Sequence, residues 1–81
     1  MKLKKDTVYK VDIDKDLSLY PIDVEGVGSV IFDIGQEKDD MLPAMKVKAG
    51  TSLTFKKKYE FISFVIEEGK PTVTVPRGFI K

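Results

Sequence analysis

From Pro43 to Val75 apolar and polar residues alternate with a period of two, and nowhere do apolar residues take the three-to-four spacing of a helix. The stretch holds four such runs, AMKVK, TSLTF, YEFISFVIE and TVTV, separated by AG, KKK and EGKP. Period two sends successive side chains to opposite faces of an extended chain, so each run reads as a strand. Strands this short must pack as sheet, and the rest of the chain has to supply the other layer.

The first forty residues continue the pattern. Thr7, Tyr9, Val11 and Ile13 share one face of a run broken by Asp14, Lys15 and Asp16. Leu17 to Val24 reads as a second strand, with Tyr20, Ile22 and Val24 on one side and with Pro21 marking an edge or bulge. Ser29 to Ile34 is a third, with Val30, Phe32 and Ile34 together. Gln36 to Leu42 has no sheet period and closes on Pro43, so it reads as the longest and most exposed loop. The tail PRGFIK reads as a terminal strand or extension, and residues 1–6 as a flexible N-terminus.

Seven or eight short strands joined by Gly, Pro, Asp and Lys corners predict an all-β domain over residues 1–81. The expected architecture is a small antiparallel β-sandwich, jelly-roll-like, or a small barrel. Strand order is not encoded in the alternation. A content of 42% hydrophobic and 33% charged residues separates the chain from disordered sequences.

One strand stands apart. In Tyr59 to Glu67, Tyr59, Phe61, Ser63 and Val65 lie on one face and Ile62, Phe64 and Ile66 on the other. A sandwich strand buries one face and wets the other, so a strand apolar on both needs a second cover. That cover is either the Gln36 to Leu42 loop or another subunit. The second possibility makes Tyr59, Phe61, Ile62, Phe64, Val65 and Ile66, with Ile31, a candidate self-association surface, to which Tyr20 could contribute.

Charge is uneven along the chain. Residues 11–40 carry nine acids against Lys15 and Lys38, a net of −7, whereas residues 41–81 carry eight basic side chains against three acids, a net of +5. Cross-strand pairing can cancel these charges within the domain, or it can leave acidic and basic sides suited to head-to-tail assembly.

Catalytic chemistry has little to work with. The chain has no His and no Cys, which removes the commonest proton shuttle, thiolate ligands and disulfides. Asp12, Asp14 and Asp16 have the spacing that opens a calcium loop, but Leu17 stands where the sharp turn needs Gly and Asp23 where a bidentate Glu belongs. No metal, cofactor or enzymatic activity is therefore expected. Lys56, Lys57 and Lys58, beside Phe55, Tyr59 and Phe61, form a candidate anion-binding corner, with Arg77, Gly78 and Phe79 as a second basic and aromatic group. The loop Gln36, Glu37, Lys38, Asp39, Asp40, Met41 and Leu42 is a candidate partner-binding loop, its acids suited to a basic protein.

The phrase MKVKAGTSLTFKKKYEFISFVIEEGKPTVTVPRG, preceded by GVGSVIFDIG, resembles small all-β structural proteins of bacteriophages of the head-decoration, head-fibre or tail-appendage type. The shared feature is a hairpin of Lys, Ala-Gly, Ser-Leu and an aromatic residue, followed by a long apolar strand, and it spans about half of the chain. The resemblance implies a non-enzymatic virion or accessory component that binds protein, itself included as a homo-oligomer, and it transfers no functional residues. The alternatives are a small phage-encoded inhibitor that sequesters a host protein or signalling nucleotide, and a small barrel that binds single-stranded nucleic acid. MKLKKD lacks the apolar segment that completes a signal peptide, and no run of about 20 apolar residues follows. The expected location is the virion or the cytoplasm, away from membranes.

Overall fold

The computed structural model describes residues 1–54 and 59–81, and it is all-β. Its strands are β1 (Lys2–Leu3), β2 (Tyr9–Lys10), β3 (Ile22–Glu25), β4 (Gly28–Gly35), β5 (Leu42–Lys48), β6 (Thr51–Leu53), β7 (Phe61–Gly69) and β8 (Thr72–Thr74). They form two antiparallel sheets, ordered β1-β8-β3-β6 and β2-β7-β4-β5. Of the two closures expected, the chain takes the sandwich.

The order follows one rule. β1 pairs with β8, β2 with β7, β3 with β6 and β4 with β5, so the chain is a single long antiparallel ribbon. Its tip is the connection 36–41, and it is rolled so that successive pairs fall in alternate sheets, which is the jelly-roll arrangement. Among the described residues every ladder, including β3–β8 and β4–β7, joins a strand from residues 1–35 to one from residues 42–81. The two strands of the acidic stretch 11–40, β3 and β4, are thereby each flanked on both sides by strands of the basic stretch 41–81.

Alternation fixes the core. Ile22, Val24 and Val73 of one sheet meet Val30, Phe32, Ile62 and Phe64 of the other, all buried. The Phe32 and Phe64 rings lie 6.1 Å apart at a tilt of 55°, within the favourable range for aromatic pairs.

Three expectations are corrected. The segment read as one strand from Leu17 to Val24 begins as a 3-10 turn over Leu17–Leu19, because Asp16 caps it: its Oδ1 accepts from the Ser18 amide at 3.1 Å and the Ser18 hydroxyl at 2.6 Å. The strand starts only after Pro21, at Ile22. Residues 1–6 supply β1, in which Leu3 pairs with Val73 of β8 and buries its apolar side chain in the core. Phe79, read as part of a terminal strand or tail, is 0% exposed; the Asp12 amide donates to its carbonyl at 2.9 Å, and its neighbour Ile80 bridges to Val11.

The two ends of the sandwich differ. At one end tight turns at Gly26–Val27, Ala49–Gly50 and Lys70–Pro71 interlock, with Ala49 N donating to Gly28 O and Lys70 N to Val27 O, both at 2.8 Å. The other end gathers the long connections 11–21 and 36–41 and the segment 75–81, tied by Val11 N to Glu60 O at 2.8 Å and Lys81 N to Lys10 O at 2.9 Å.

Candidate functional site

The outer face of the β2-β7-β4-β5 sheet carries half of the predicted self-association surface. Along β7, Ile62 and Phe64 point into the core at 1% and 2% exposure and Ile66 packs against it, so these three belong to the monomer interior. Phe61, Ser63 and Val65 point outward, and Val65 is 36% exposed. Ile31 of β4 lies directly opposite Val65 in the ladder, and Asp33 opposite Ser63. Tyr59 precedes the strand and is half-buried. Tyr20, also named from sequence, packs against the core, with the Lys15 ammonium 5.8 Å from its ring.

This face is partly covered by its own chain. At the short-turn end a β-bulge makes Glu67 the extra residue between the pairs Ser29–Glu68 and Val30–Ile66. The bulge aims the Glu67 carboxylate across β4, where Oε1 accepts from the Ser29 hydroxyl at 3.0 Å and lies 2.7 Å from Lys46 Nζ on β5. Ser29 is buried beneath this ion pair and stays satisfied by it. Hydrogen bonds from Lys46 and then Ser29 hold the Glu67 carboxyl below its ordinary value, and the Glu67 contact holds Lys46 above its own.

At the long-loop end the cover is the ribbon tip. Gly35 closes β4 opposite Phe61, and a side chain on it would come within 2.7 Å of the Asp40 carbonyl and 3.1 Å of Met41. Glycine therefore lets the loop fold back onto the sheet. The Asp40 amide donates to Glu37 O at 3.2 Å, and Lys38 Nζ sits 5.9 Å from the Phe61 ring centroid as a cation–π contact. Between loop and ion pair, Ile31 and Val65 remain as the apolar centre of the face.

Beside the loop lies a groove of about 460 Å³, lined by Ile34, Leu42, Pro43, Ala44 and Tyr59 together with Gly35, Gln36 and Asp40. Sequence reasoning named Gln36, Asp40, Leu42 and Tyr59, yet not the groove. The usable signal was a Gly at the start of the acidic loop and a Pro at its end, which together pin both ends of the tip.

The remaining candidates are placed as follows. Lys56, Lys57, Lys58 and Phe55 lie outside the described residues. Phe79 is enclosed in the core, so it is not a stacking platform beside Arg77. Asp12 and Asp16 spend carboxylate oxygens on backbone amides, Asp12 on that of Asp14 at 3.3 Å, and no group of three or more acids among the described residues is arranged to hold a metal ion. Among the described residues no helix is long and apolar enough to cross a membrane. Comparison with known protein families, with curated proteins and with solved structures found no match.

Proposed function

We propose that this protein is a non-enzymatic structural module that works by binding protein, most directly a second copy of itself, through the outer face of the β2-β7-β4-β5 sheet. The observation that carries the reading is the Ile31–Val65 pair, two apolar side chains directed outward from the two central strands of the sheet. A formal net charge of +1 leaves little repulsion between copies.

The long edge of the same sheet is a poorer surface. β5 carries Pro43, a bulge at Ala44 where Phe32–Met45 gives way to Asp33–Pro43, and the lysines 46 and 48. These are the devices that protect edges from pairing with other strands. Association through the face rather than the edge yields a closed assembly instead of a growing sheet.

The resemblance to bacteriophage structural proteins supports a place in the virion or as an accessory protein in the host cytoplasm. The rolled-ribbon order supports it by analogy, because jelly rolls recur in viral capsids; such analogy concerns fold rather than site. The test is solution mass by light scattering across concentration and salt, for the native chain and for Val65→Lys. The native chain should form a defined oligomer, and the variant a folded monomer with unchanged circular dichroism. A native chain monomeric at every concentration, or a variant that assembles equally well, would overturn the proposal.

A further inference from the structure

We infer that the groove beside the ribbon tip is a docking site for a basic, apolar peptide segment of another protein. This goes beyond the self-association reading, since it concerns a different surface and a different chain. At about 460 Å³ the groove is within the size range of ligand sites and holds a few side chains of an extended segment. Its lining is mainly apolar: Leu42, Pro43 and Ala44 at the start of β5, Ile34 at the end of β4, and Tyr59, beside the polar Gln36 and Asp40.

Charge selects the occupant. The tip carries Glu37, Asp39 and Asp40, all exposed, against one lysine. That lysine, Lys38, is drawn to the Phe61 ring and does not line the groove, whereas Asp40 does. Among the described lining residues the only formal charge is therefore negative, next to apolar walls. The matching chemistry is a segment that alternates Lys or Arg with Leu or Phe, whose apolar side chains fill the groove while a cation meets Asp40.

The groove is also preformed. The tip approaches Gly35 closely through the Asp40 carbonyl and Met41, and its turn is closed by the Asp40 amide, contacts that the Asp40 side chain does not itself make. Little ordering cost is left for binding. The same point makes Asp40→Lys a clean variant, because it reverses the lining charge without touching those contacts.

The experiment follows backbone amide shifts of the isotope-labelled protein during titration with three blocked peptides: Lys-Leu-Lys-Phe-Lys, Glu-Leu-Glu-Phe-Glu and Lys-Ser-Lys-Ser-Lys. The basic apolar peptide should shift the amides at 34–36, 40–42, 44 and 59, with the other two at least about tenfold weaker. Asp40→Lys should weaken the first peptide about tenfold or more, and Val65→Lys should leave its binding unchanged. That last variant separates this site from the self-association face, so either surface can fail without the other. Equal binding of the acidic or the polar peptide, shifts centred elsewhere, or Asp40→Lys binding like the native chain would overturn the inference. So would no shift at all at about 1 mM peptide, or the same amides shifting with protein concentration alone, which would make the occupant a second copy.

Discussion

Gly28 and Gly69 face each other at the end of the β4–β7 ladder, each so close to the other strand that a side chain on either would strike backbone. A Cβ on Gly28 would meet the Glu68 carbonyl and come within 2.9 Å of Gly69 Cα, and one on Gly69 would meet the Val27 carbonyl. Both also hold positive φ, 120° and 73°. Gly28→Ala or Gly69→Ala should cost roughly 2–4 kcal/mol, the sum of backbone strain and displaced strand. Gly50 is the control: its φ is 91° but no atom lies within 4 Å of the added Cβ, so Gly50→Ala should cost only about 1 kcal/mol. Urea unfolding of the three variants measures the difference.

The neighbours Phe64 and Val65 should respond to truncation in different readouts. Phe64 is 2% exposed against Phe32, and Phe64→Ala should lose about 3–5 kcal/mol. Val65→Ala, on the outer face, should change unfolding little while weakening any self-association. Chemical denaturation paired with sedimentation would separate the two readouts.

Glu67 should titrate low because of two named donors. Lys46→Gln should move its carboxyl back toward the ordinary 4.5, and Ser29→Ala should move it less, following the order of the two hydrogen bonds. A carboxylate held low in the folded chain adds stability that is present above about pH 4.5 and lost as pH falls through the lowered value. Lys46, held above 10.5, adds stability present below that pH and lost as pH rises past the raised value. Carboxyl carbon shifts read the first effect, and melting temperature against pH at both extremes reads the second.

Asp16 and Asp14 share the same spacing pattern but not the same work. Asp16→Ala removes the acceptor for the Ser18 amide and hydroxyl and should destabilise the chain by about 1 kcal/mol. Asp14, exposed, should tolerate Ala with little effect. Adding calcium should leave the thermal midpoint of the native chain unchanged, since a site would stabilise by mass action.

The alternation in the sequence was enough to find most of the core, because strands buried on one face must write that burial every second residue. Val30 with Phe32 and Ile22 with Val24 were legible in this way, whereas Ile62 and Phe64, on a strand apolar on both faces, read as candidate self-association residues and are core. The misses have physical causes. Leu17 and Leu19 keep a strand-like spacing, but the local capping by Asp16 outcompetes extension. Leu3 and Phe79 sit in basic or Gly-containing segments, and only their long-range partners on β8 and near Asp12 draw them inward. The double apolarity of the Phe61 to Ile66 segment was visible at once. Its partial cover was not, because the Glu67 bulge and the folded-back tip depend on register. The groove depends on a glycine whose role appears only once Asp40 is brought against it.

Among the described residues the rolled ribbon leaves each half of this protein without a strand partner of its own. The six ladders described there run between residues 1–35 and residues 42–81, so a fragment holding β1 to β4 and one holding β5 to β8 divide these strands without keeping any of the six ladders. Cutting within the 36–41 tip would produce two complementary pieces, each needing the other to form any of the six described ladders. Brought together, they would rebuild both sheets at once, as a split reporter whose signal is the fold itself.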